Sequence, residues 1–195
     1  MILEGYVTDK NKCPMAGALV EVKNDRFQTL YSAMSDDAGH YQLDIPAGRY
    51  PFLTAVKDYA VHYLEYWCQN ISLESPMTLD VSFDQLEIYG LHAFTVKGGG
   101  NSLMVYFRPM SLSKFLQRMS DIVPDGMNIT VLLDGEEAPV LHTNYVQEMA
   151  GDTAMTACLI QVDASAKATP WHQLEVRVVD AEQHYGAASI FRMEE

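Results

Sequence analysis

Cysteine is scarce in this chain: Cys13, Cys68 and Cys158 are the only three among 195 residues. An odd, widely spaced set forms no disulfide framework and has no zinc-ligand spacing; it fits a reducing compartment. Basic residues are also few. Thirteen Lys and Arg stand against 26 Asp and Glu, giving a net charge of −13. Nucleic acid and anionic membranes are therefore poor partners, because phosphate binding needs clustered cations. The acidity is spread through both halves and reads as a solvated surface. No apolar run approaches the roughly 20 residues that cross a bilayer, so no membrane span is expected. The first residues carry neither a basic start nor an apolar leader core. The compartment stays unknown, with cytoplasm favoured unless a leader has been removed.

Catalytic and metal motifs are missing too. There is no G-x-S-x-G, and no Cys lies beside a plausible His partner. The histidines, His40, His62, His92, His142, His172 and His184, form neither H-x-x-x-H nor H-E-x-x-H. Asp36, Asp37 and Asp44 do not fit the calcium loop of an EF-hand, and such carboxylates usually serve turns. Gly98-Gly99-Gly100 lacks the Lys-Ser/Thr of a phosphate loop. No carboxylate pair stands out for glycoside hydrolysis. The expectation is no catalytic residue, no metal and no cofactor.

What is present is alternation between turn residues. Tyr41, Leu43 and Ile45 alternate with Gln42 and Asp44, the period of a half-buried strand. Asp36-Asp37-Ala38-Gly39 precedes that strand as a tight turn, and Pro46-Ala47-Gly48 closes it. Upstream, Gly5-Tyr6-Val7-Thr8-Asp9 and Pro14-Met15-Ala16-Gly17-Ala18-Leu19-Val20 repeat the strand–turn pattern. In this order, G-x-V-x-D, P-x-x-G-A-x-V and D-x-x-G-x-Y-x-L-x-I-P-x-G-x-Y resemble the carboxypeptidase regulatory-like domain, a prealbumin (transthyretin-like) β-sandwich. The resemblance covers about residues 2–56. It implies a scaffold of accessory type and brings no catalytic residues, since function belongs to sites and not to folds.

Tyr50–Val56 reads as a further strand, with Pro51 favouring a sheet edge. Residues 57–73 have the most unusual composition in the chain. Read as extended, they put Tyr59, Val61, Tyr63, Glu65 and Trp67 on one face. Met77, Leu79, Val81 and Phe83 alternate and complete a first domain at residues 1–84. Residues 85–195 form the second. Strands are expected over 86–96, 103–108, 129–133, 156–162, 173–179 and 185–192, with a turn at Asp134-Gly135. One short helix is expected near 111–119, with Ser113 as its N-cap. The fold class is therefore all-β: two β-sandwich domains, prealbumin-like then immunoglobulin-like, with at most one or two short helices.

For function, sugar rings stack on Trp and Tyr while their hydroxyls take hydrogen bonds. Tyr63, Tyr66 and Trp67 with His62, Glu65 and Asn70 form the candidate ligand-binding set. Interface packing is the competing expectation for the same aromatics. The leading reading is a non-catalytic binding or accessory module for carbohydrate or a protein partner. The alternatives are a scaffold that forms homo-oligomers through edge strands, or a hydrolase with its site between the domains.

Overall fold

The computed structural model describes residues 1–166 and 170–193, and the fold is all-β. Its strands are β1 (Ile2–Thr8), β2 (Leu19–Lys23), β3 (Thr29–Met34), β4 (His40–Asp44), β5 (Gly48–Val56), β6 (Tyr66–Leu73), β7 (Met77–Thr78) and β8 (Val81–Ser82) in the first part. There follow β9 (Leu86–Phe94), β10 (Ser102–Ser111), helix α1 (Leu112–Leu116), β11 (Asn128–Leu133), β12 (Glu136–Ala138), β13 (Val140–Ala150), β14 (Thr153–Asp163), β15 (Gln173–Val179) and β16 (Tyr185–Phe191).

One eight-stranded sheet runs through the whole molecule in the order β12-β11-β15-β16-β6-β5-β2-β3. Two four-stranded sheets pack on it, one built from β1, β4, β7 and β8 and the other in the order β13-β14-β10-β9. The buried apolar side chains fall into two clusters. Residues between Leu3 and Phe83, joined by Ala187, make the first, and residues between Leu86 and Ile190 make the second. The halves are thus joined by hydrogen bonding as well as by contact. The join is the parallel pairing of β16 with β6, Ala188–Ile190 against Trp67–Gln69.

Local chemistry explains the strand ends. Gly39 has φ 77°, and a Cβ there would lie 2.5 Å from the Val7 carbonyl oxygen, so the turn into β4 needs glycine. Asp134 and Gly135 both take positive φ and form the two-residue turn between β11 and β12. Helix α1 is capped by Ser111, not Ser113: the Ser111 hydroxyl accepts from the Lys114 N–H. β5 is an interior strand between β2 and β6, where an edge was expected. Pro51 is tolerated because β2 pairs with β5 only from Phe52 onward, so the missing N–H leaves no β2 partner unsatisfied.

The β6–β16 join carries buried polar contacts at Ser189, whose hydroxyl also meets the Cys68 thiol. The Tyr66 hydroxyl and Ser189 Oγ lie 2.8 Å apart, and Ser189 is fully buried. Tyr66→Phe is expected to lower the stability by about 1 kcal/mol, because Ser189 keeps only the weak Cys68 thiol as a side-chain partner in a dry site. Urea unfolding of the two proteins measures the difference; equal midpoints and slopes would show that the contact contributes nothing.

Candidate functional site

The aromatic segment is not extended along its length. Asp58 and Ala60 have φ of 47° and 58°, and the Val61 and His62 N–H groups both donate to the Asp58 carbonyl. Residues 58–64 therefore form a turn, and the strand begins only at Tyr66. The expected common face of Tyr59, Val61, Tyr63, Glu65 and Trp67 does not exist.

The six sequence-derived site residues are distributed over four places. His62 is exposed and, with Tyr63, lines a cleft of about 360 Å³ against Asp84, Ser113 and Leu116. Tyr63 also packs edge-on against Phe83. Tyr66 is 3% exposed inside the first core cluster. Glu65 and Trp67 come together at Glu87 on β9. Asn70 lies apart, in a larger cleft.

At the Glu65–Trp67 locus the groups are occupied by protein. Phe27 stacks on the Trp67 ring at 4.9 Å, and Phe52 and Tyr89 meet it edge-on at 6.1 and 5.5 Å. The Trp67 indole N–H donates to Glu87 Oε1 at 3.0 Å. Glu87 Oε2 accepts from the Glu65 N–H at 3.3 Å and the Tyr59 hydroxyl at 3.4 Å. Burial pushes the Glu87 carboxyl up to about 7, against the opposing pull of these hydrogen bonds; the neighbouring Glu65 charge adds to the rise. Burial also raises Glu65, with Lys23 pulling the other way from 4.0 Å. A raised carboxyl beside a second one suits a general acid. Glu87 is only 1% exposed, however, and lines neither cleft described here. The locus joins Trp67 on β6 to Glu87 and Tyr89 on β9.

The larger cleft, about 870 Å³, opens where β16 leaves β6. The parallel pairing stops at Ile190–Gln69. The next residue on β6, Asn70, takes φ 60°, and its side-chain amide donates to the Phe191 carbonyl at 3.3 Å. Asn is among the few non-glycine residues that take this conformation readily. The gap has Arg49, Tyr50 and Asn70 on one side and Trp171, His172 and Arg192 on the other. Asp134 Oδ1 fixes the second side by accepting from the His172 and Gln173 N–H groups at 2.8 and 2.9 Å. The Arg192 N–H donates to the His172 carbonyl at 2.8 Å.

Trp171 is half-buried against the second core cluster, whereas the Arg49 and Arg192 side chains are exposed and have no hydrogen-bond or ion-pair partner among the described residues. Sequence reasoning missed this cleft apart from Asn70. Trp171 is one of two tryptophans and follows Pro170 directly, which is a loop signal; nothing in the sequence pairs it with Arg49.

Residues 2–84 match the carboxypeptidase regulatory-like domain along their whole length. This part of the chain is similar to that family. No curated protein matches the chain. Among solved structures it is similar to the major pilin subunit of Bacillus cereus, at 9% identity and a TM-score of 0.36, covering 97% of this chain and 67% of that one. A DUF3823 family protein from Bacteroides ovatus is similar at 10% identity and a TM-score of 0.35, covering 97% and 98%. Another, from Parabacteroides merdae, has 14% identity and a TM-score of 0.32, covering 97% of each chain. Among the described residues no helix is long and apolar enough to cross a membrane, and no three His, Cys, Asp or Glu converge as metal ligands.

Proposed function

We propose that the protein is a non-catalytic accessory module whose cleft between Tyr50, Asn70 and Trp171 binds an acidic carbohydrate. The carrying observation is the pair of exposed guanidinium groups, Arg49 and Arg192, that line that cleft with no partner among the described residues, in a protein of net charge −13. Guanidinium groups recognise carboxylates through paired hydrogen bonds, and an indole face receives the apolar side of a sugar ring. Asn70 and His172 supply polar contacts beside them.

In this reading residues 1–84 and 85–195 are two sandwich units, the second immunoglobulin-like, and the cleft belongs to both. Arg49 and Asn70 come from the first unit, Trp171 and Arg192 from the second. Ligand sites are common at such junctions. The regulatory-like family of the first unit, which brings no catalytic residues, agrees with an accessory role.

Calorimetric titration with an oligogalacturonate tests the reading, with a neutral gluco-oligosaccharide as control. Wild type is expected to bind the acidic ligand in preference. Arg49→Ala and Trp171→Ala are each expected to weaken it by about tenfold or more while unfolding cooperatively. No binding by wild type, or binding as tight as that of wild type by both folded variants, removes the proposal.

A further inference from the structure

The hairpin β13–β14 outruns the sheet that carries it. β10 pairs with β14 only as far as Phe107–Cys158, whereas β13 and β14 stay paired to Ala150–Thr153. The far end is a two-stranded ribbon with two outer edges. On the β14 side Asp121 covers the edge, accepting from the Thr156 N–H at 3.2 Å and its hydroxyl at 2.6 Å. The β13 side is the end of its sheet and has no strand beside it among the described residues. Its eleven residues, VLHTNYVQEMA, include no Lys or Pro, which commonly blunt an edge, and its one bulge lies at the start, between Val140 and His142. Leu141, Tyr145 and Met149 are 54%, 59% and 68% exposed.

We propose that β13 pairs antiparallel with β13 of a second copy of this chain, about a two-fold axis at Tyr145. The sequence around that residue is self-complementary in this register. Leu141 falls opposite Met149, Thr143 opposite Gln147 and Tyr145 opposite its own copy. His142 falls opposite Glu148, whose carboxylate also pairs with Arg108 of its own chain, twice per dimer. Directly opposed residues share a face, so Tyr145, Met149 and the Thr143–Gln147 pairs lie on one side and the His–Glu pairs on the other, with Leu141 at a bulge between Val140 and His142. The pairing is isologous and closes at two copies. It does not depend on the carbohydrate reading.

Sedimentation equilibrium over a concentration series, in a Cys13→Ser background, tests it. The mean mass is expected to rise from 21.9 kDa towards twice that value. His142→Glu sets like charges opposite each other at two places and is expected to weaken the dimer about tenfold. The register is read by mild oxidation. Tyr145→Cys places two thiols across the axis and is expected to form a cross-linked dimer, while Thr143→Cys, which faces Gln147, is not. A monomer at every concentration, a dimer indifferent to His142→Glu, or equal cross-linking of the two cysteine variants would overturn the proposal.

Discussion

Raising the pH from about 5 to about 8 is expected to lower the stability by roughly 2–3 kcal/mol, mostly through Glu87. The carboxyl is raised from an ordinary 4.5 to about 7 in the fold. Between those values the native state holds a proton that the unfolded chain releases, so stability falls as pH rises. The favourable contribution is complete below 4.5 and is lost as pH passes 7. Glu65, raised by burial in the same locus, acts in the same direction. Carboxyls held low, such as Glu21 and Asp121, act the opposite way but only below their ordinary values.

Glu87→Gln keeps the acceptor for the Trp67 indole and removes the titration. Its stability is expected to vary much less between the two pH values and to exceed that of wild type at pH 8 by about 1–2 kcal/mol, the lost acceptor for the Glu65 N–H offsetting part of the gain. Urea unfolding at both pH values reads the slopes. Parallel pH dependence in the two proteins would place the titration elsewhere.

The second large effect is expected at Gly186 on β16. A Cβ there would lie 2.4 Å from the Leu86 carbonyl oxygen and 2.6 Å from its carbon. Both are backbone atoms of β9, so neither can swing aside. Gly186→Ala is expected to cost about 3 kcal/mol or more, the upper range for overpacking, because two strands must separate where the cores meet. Gly151→Ala is the control. Its φ of 64° carries strain, but nothing lies within 4 Å, so about 1 kcal/mol is expected. Thermal unfolding of both variants checks the order. Equal losses would mean that the β9–β16 crossing yields easily.

Much of the fold was legible because strands with one buried face write alternation into the sequence. β4, β10 and β15 show it, and Gly39 and Asp134-Gly135 mark turns with a stereochemical need. β3 and β13 left no such mark. Both lie at sheet ends and expose most side chains, so neither face demands an apolar row. Residues 58–64 misled for the opposite reason: their aromatics alternate, yet positive φ at Asp58 and Ala60 folds them into a turn.

The site was less legible than the fold. Trp67 drew attention by its neighbours in sequence, but its contacts come from Phe27, Glu87 and Tyr89. The cleft depends on β16 meeting β6 and then leaving it. That pairing joins residues more than a hundred positions apart, and no local pattern encodes it.

The two tryptophans provide the most direct test of where the protein binds. With the indole nitrogens labelled, their N–H resonances can be followed by NMR during titration with an oligogalacturonate. The Trp171 signal is expected to move with saturating dependence on ligand, while the Trp67 signal, held by Glu87, stays in place. Movement of Trp67 with Trp171 unchanged would contradict the account and return the binding surface to the aromatic segment.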